Sequence, residues 1–542
     1  MTTPDDGDPH LSSLKQELSQ LKEAIWERRP IFGEIIRNNG QKNLYQYTKA
    51  FLNFKTSQFF TSRQFELISI TNKLISSRLG EDVGNAVAKQ LIKYPLVSTT
   101  DHHGPIDHPF FVNCNIISSL SYHEHNDPDL KYLVVFPFAS VSINNLSAYP
   151  RGILFHGGIN GTKNLIRLSF FPDKEKMGVV CGTRAYQQTD IERAQQELEK
   201  KYKQGEVAPD KKDSIRMLLD TLFAHPDILN SPDLSTQITK INYQLWPQLF
   251  HTLNRDNTNE KIKAPQLIYL EIETLVSEIL QKYHFTDQQS SLYRLLFDQS
   301  FCRQAQELFE GIPGAFSTTD KWGTYLFWAV NEKKHRKRLL LDGDKLVGQD
   351  INYQLDLTPE AISLALQQKK IFPSMLLCYI TVALYYGMKC LGGFSQVNDL
   401  PMTKMAWQEL LWENNLLEEA LALETVSTAS YGGDGLVLSY LPTQSGSLVP
   451  ATGIDMILEN IDTRYEDYLQ LAKNIKLEEI LNPMLPEMYS VVYNVKERLP
   501  ELSNLTPEQI IKATGLQNKL VRLATPYSQP KKILYSTIKR ML

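Results

Sequence analysis

Tyr94-Pro95-Leu96-Val97-Ser98-Thr99-Thr100-Asp101-His102-His103-Gly104-Pro105-Ile106-Asp107-His108-Pro109 joins an apolar, strand-like run to a loop crowded with histidine and aspartate. A strand that delivers the chain to such a loop places polar side chains at a sheet edge. Pro105 and Pro109 stiffen the loop and lower the entropy lost in holding it. The chain has 11 histidines. His102, His103, His108, His123, His125 and His156 crowd into one tenth of the sequence. His and Asp bind metals and move protons near neutral pH, so this segment is where chemistry is expected.

The strand pattern continues outward. Lys131–Phe138, Gly152–His156, Leu165–Phe171 and Gly178–Cys181 read as strands separated by Gly and Pro. Residues 94–185 are therefore expected to form a β-rich module. Residues 1–93 read as helical. Leu11, Leu14, Leu18, Leu21 and Ile25 make an apolar stripe on a helix over 11–29, a candidate homodimer contact. Residues 186–310 read as helical, and 311–542 as mixed but mostly helical. Within the last segment, Asp342-Gly343 between apolar runs predicts a hairpin. Thr358-Pro359-Glu360 predicts a helix start. Together these patterns predict a multidomain α+β protein, in line with about 150 residues per domain in a chain of 542.

Composition narrows the function classes. A net charge of −4 gives no global attraction to nucleic acid. The basic run Lys333–Arg338 reads as a solvated strand end or loop. The best candidate for a membrane span, Ile371–Met388, is interrupted by Pro373 and diluted by tyrosines, so no integral span is expected. Five scattered cysteines without a CxxC pair, and no N-terminal signal segment, suggest free thiols in a cytoplasmic protein.

Two catalytic readings fit the His/Asp cluster. In the first, His102, His103, His108 and His156 supply ligands to a divalent zinc, manganese or iron ion. Asp101 or Asp107 then serves as base or orienter, and a small or medium polar substrate is hydrolysed by metal-bound water. His123 and His125 would share one face if they lay on a strand. Arg151 and Lys163 could pair an anionic group of the substrate. In the second, His102-His103-Gly104-Pro105-Ile106-Asp107 resembles the His-x4-Asp signature of glycerolipid acyltransferases, and the resemblance implies His102 as base and Asp107 as its orienter in an acyl transfer. A third reading, a non-enzymatic helical scaffold or binding protein, gives the histidines structural roles.

The acyltransferase resemblance implies a His base that deprotonates an acceptor hydroxyl and an Asp that orients it. Asp101 stands where that family has Asn, and Tyr149-Pro150-Arg151-Gly152 lacks the acid of its second motif. Asp101-His102-His103 resembles the motif of the DHH phosphoesterases, whose further Asp and His ligands on earlier strands are not supplied by residues 1–95. Each resemblance covers fewer than a dozen residues.

Three glycine-rich segments complete the candidates. Gly157-Gly158-Ile159-Asn160-Gly161-Thr162-Lys163 falls one residue short of P-loop spacing and reads as a turn. Gly392–Gln396 is expected to follow a helix end, and Gly432–Gly435 to precede a strand.

Overall fold

The computed structural model describes residues 9–523 apart from 56, 126, 159–164, 252–261, 443–447 and 461. Helices make up 54% of the chain and strands 14%, mixed in an α+β architecture as expected.

A four-stranded parallel sheet organises the molecule. Its strands are β1 (Leu96–Ser98), β2 (Tyr132–Val135), β5 (Gln266–Tyr269) and the strand Lys389–Leu391, in the spatial order Lys389–Leu391, β1, β2, β5. Parallel sheets are covered on both faces, so their strands read as continuous apolar runs. Here successive residues feed two different cores. Leu96, Leu133, Val135, Leu267 and Tyr269 face a core shared with the N-terminal helices, the helix Pro109–Ser119 and the C-terminal helices. Val97, Val134, Ile268 and Leu270 face a second core, shared with helices Gln58–Leu79, Glu81–Lys93 and Ile272–Ile279. Each fully buried Val, Leu or Ile contributes on the order of 1.5–3 kcal/mol to this wall between cores.

The hairpin of β3 (Gly152–His156) and β4 (Leu165–Ser169) lies in the connection between β2 and β5. An antiparallel five-stranded sheet runs 354–356, 345–348, 336–342, 327–330, 371–373. Its tight turn is the one predicted, with Gly343 at φ +63°. Thr358 caps its helix by accepting from the Ala361 N–H at 3.2 Å.

Several expectations are corrected. The parallel sheet takes strands from three of the four sequence segments, with β1 and β2 in 94–185, β5 in 186–310 and the last strand in 311–542. The N-terminal stripe is occupied within its own chain. Leu14, Leu18, Leu21 and Ile25 are buried, and the helix Pro9–Arg28 packs on helices Leu485–Val492 and Pro30–Asn39. Leu11 lies outside the residues whose side chains are described. Tyr122–His125 is a 3-10 turn, not a strand, so His123 and His125 do not share a strand face. Val180–Gly182 is likewise 3-10, not strand. Gly392 follows the strand Lys389–Leu391, not a helix end. No helix among the described residues is long and apolar enough to cross a membrane, and 371–388 breaks into a strand, a short helix and a π-turn.

Candidate functional site

The chain steps from β1 to β2 to β5 on one side of β1, then returns on the other side at Lys389–Leu391. Ligands of open parallel sheets bind at the carboxyl ends of the strands, near such a reversal. The loop Thr99–His108 leaves the carboxyl end of β1 here and leads into the helix Pro109–Ser119. Thr99 accepts from the Gln396 side chain at 2.7 Å, and the Thr100 hydroxyl donates to Leu391 O at 3.2 Å. These bonds tie the two loops that flank the reversal.

His102 retains partial exposure. Its Nδ1 lies 3.0 Å from Asn145 Oδ1. That oxygen also accepts from the Ser147 N–H at 2.9 Å, so it is an acceptor for the imidazole too. His102 must therefore carry its proton on Nδ1, which leaves the Nε2 lone pair free for a proton. Burial, and secondarily the charge of Arg336, lower its pKa, while Asn145 opposes the shift. The ring is neutral at pH 7.

His108 sits beside it. Both rings meet the edge or face of Phe111, with centroids 5.7 and 5.8 Å from it. His108 is the N-cap of the helix Pro109–Ser119, and its Nδ1 accepts from the Phe110 N–H at 3.4 Å. The tautomer is then the opposite one, with the proton on Nε2. Burial first, then repulsion from His102 when it too is protonated and from Arg167, push its pKa down to about 4.

The other members of the cluster point elsewhere. Asp101 is fully buried. Its Oδ2 accepts from the Tyr269 hydroxyl and from Asn115 Nδ2 at 2.6 Å. Its Oδ1 has no hydrogen-bond partner among the described residues. Burial raises the carboxyl pKa to about 7, against the opposing bonds from Tyr269 and Asn115. His103 is also fully buried, stacked on Tyr269, with Nε2 3.0 Å from Ser235 O. Burial lowers its pKa. Asp107 Oδ2 accepts from the Leu154 N–H of β3 at 2.9 Å, and its backbone oxygen accepts from Gly453 N at 2.7 Å. Asp107 is thus a brace between the loop and the hairpin. The His102–Asp107 base–orienter pair that the acyltransferase resemblance implies is not formed: Asn145 holds His102 Nδ1 and Asp107 holds the Leu154 N–H.

His156 belongs to a second group. Its Nδ1 donates to Asp455 Oδ2 at 2.6 Å, and its backbone N–H to Oδ1 at 3.1 Å. Asp455 also accepts from Lys211 Nζ at 2.9 Å and from the Thr452 hydroxyl at 2.8 Å. Lys211 in turn bonds Glu459. Burial alone would raise the Asp455 pKa, but Lys211 and His156 outweigh it and hold the carboxyl far below its usual range.

The expected metal donors do not converge. His103 turns to Ser235, His156 to Asp455, and His102 to Asn145. Among the described residues no three His, Cys, Asp or Glu side chains are grouped to hold a metal ion. The anion-pairing expectation for Arg151 is also corrected. It is buried, donating to Phe171 O at 2.9 Å and Asp173 Oδ1 at 3.2 Å, which fixes the hairpin. Lys163 and most of the Gly157–Lys163 segment lie outside the described residues. The Gly432 carbonyl accepts from Cys114 and Ser118, each at 3.4 Å, so Cys114 is a buried structural thiol with its pKa pushed up by burial.

Asn145, Tyr269, Asn115, Asp455 and Arg336 were not anticipated. Arg336 opens a strand of the antiparallel sheet, is stacked over Trp328, and donates to Ser140 O at 3.1 Å. Its one sequence signal was the basic run 333–338. A cavity of about 540 Å³ includes Glu273 and Cys181 in its wall but no residue of the 99–108 loop.

The sequence matches no protein-family model and no curated protein.

Proposed function

We propose that the protein is an enzyme in which His102 acts as a general base. Its Nε2 takes the proton of a water or acceptor hydroxyl in a hydrolytic or acyl-transfer step on a small or medium polar substrate. The observation that carries this is the doubly bonded Asn145 oxygen, which fixes the proton of His102 on Nδ1. An oriented neutral imidazole with an open lone pair has what proton abstraction requires. His108, with the opposite tautomer, can donate from Nε2 to a developing negative charge. The scattered donor set offers no support for the metal-ion reading.

A second reading places the base at His156, favoured by its 2.6 Å bond to Asp455. The pair has the geometry of an oriented imidazole, but His156 is more deeply buried than His102.

Both readings are tested with ester, thioester and phosphoester substrates at pH 7. His102→Gln should lower kcat/KM by about 10²–10⁴-fold, the usual contribution of a general base. Unchanged turnover in His102→Gln together with loss in His156→Gln would move the base to His156.

A further inference from the structure

One arginine bears electrostatically on each imidazole, Arg336 on His102 and Arg167 on His108. Arg336 is anchored at Ser140, two residues beyond Phe138, and Phe138 is the bridge partner of His102. Arg167 pairs across the hairpin with Leu154, whose N–H holds the Asp107 carboxylate next to His108. The charges of these arginines help keep the two imidazoles neutral. Both arginines are exposed. Among the described residues neither forms a salt bridge, in contrast to Arg78, Arg151 and Arg184. The carboxylate that bears on Arg336 is Glu273, and it is occupied. Its two oxygens accept the N–H groups of Ala139 at 2.9 Å and Ser140 at 2.8 Å, and burial raises its pKa to about 7.

A guanidinium with free N–H donors presents a fork matched to carboxylate and phosphate oxygens. The helix Pro109–Ser119 adds the positive end of its dipole at His108. The Nε2–H of His108 is one more donor.

We infer that the substrate of the His102 site carries an oxyanion group, a phosphate or a carboxylate, which Arg336 and Arg167 hold beside the two imidazoles. This rests on the reading of His102 as the catalytic base and gives that reading a substrate class. The anion would place the reacting group against His102 Nε2, and the same charges would disfavour protonation of the base until the anion binds. Binding should then raise the pKa of both imidazoles toward their ordinary value.

The test uses the full-length chain with isotope-labelled histidine, titrated separately with inorganic phosphate and acetate at constant ionic strength set by chloride. Imidazole signals of His102 and His108, assigned with His102→Gln and His108→Gln, should move saturably with at least one of the two anions. The stronger anion names the oxyanion class. Arg336→Gln and Arg167→Gln should each weaken that binding about tenfold, and the exposed Arg216→Gln should not. No shift with either anion, or shifts unchanged in both arginine variants, overturns the proposal. The nitrogen shifts in the same spectra report the tautomer of His102 independently. A ring protonated on Nε2 that still responds to phosphate through Arg336 would refute the base reading and leave the anion site standing.

Discussion

Asn145 Oδ1 accepts from the Ser147 N–H at 2.9 Å while lying 3.0 Å from His102 Nδ1. A single short turn thus defines the tautomer of an imidazole 43 residues away. Asn145→Ala should remove that constraint without touching the ring. Turnover should fall at least tenfold, with little change in thermal midpoint, because the turn is at the surface of the site. Asn145→Asp should restore orientation and raise the pKa of His102, shifting the acid limb of the pH–rate profile upward. Identical profiles for wild type and both variants would show that Asn145 has no positioning role.

Asp107 tests the division between catalysis and bracing. Its carboxylate serves the Leu154 N–H of β3. Asp107→Ala leaves that buried donor unpaired, a cost of about 1–3 kcal/mol. The loss should appear in urea unfolding, while the His102 tautomer stays as in wild type. Selective loss of turnover at unchanged stability would instead support the His-x4-Asp arrangement.

Much of the loop's position could be read from the residues around it. Leu96-Val97-Ser98 ends where polar residues begin, so the strand and its loop are written locally, whereas the helix Pro109–Ser119 falls inside a segment whose pattern predicts strands. The partners were not legible. Tyr269 and Asp101 are 168 residues apart, and His156 and Asp455 are 299 apart. No local pattern records such pairings. The strands Gln266–Tyr269 and Lys389–Leu391 were missed because runs of three or four apolar residues have too little length to show a period. Crowding of histidines in sequence also misled. Neighbours in an irregular loop need not share partners, and His102 meets Asn145 while His103 meets Ser235.

Asp101 makes a pH prediction. Its folded pKa of about 7 lies above the ordinary 3.8, so the folded state binds the proton more tightly than the unfolded state. Its stabilising effect is full below pH 3.8 and fades as pH rises to about 7. Asp101→Asn keeps a neutral side chain at every pH. The variant should gain stability relative to wild type between pH 5 and 8. A constant difference across that range would contradict the assignment.

The histidines act in the opposite sense. His108 and His284 have folded pKa values near 4, below the ordinary 6.5, with burial as the leading cause. The unfolded chain therefore binds more protons between those limits, and stability falls as pH drops from 6.5 to about 4. His284→Gln should flatten the decline of thermal midpoint over that window. A slope equal to wild type would show that His284 does not contribute.

Lys211 lies between Asp455 and Glu459, all three buried. Lys211→Met removes the cation and leaves the acids uncompensated. A loss of about 3–5 kcal/mol in urea unfolding is expected at pH 8. The loss should shrink as pH is lowered and Glu459, whose pKa burial already raises, takes up a proton. A loss under about 1 kcal/mol at pH 8 would mean that the network carries little of the fold.

Nitrogen NMR of histidine-labelled protein reads the protonation state of the His102 ring directly. At pH 7 the His102 signals, assigned by their loss in His102→Gln, should show a protonated Nδ1 and an unprotonated Nε2. A proton on Nε2, or a doubly protonated ring at that pH, would contradict the account.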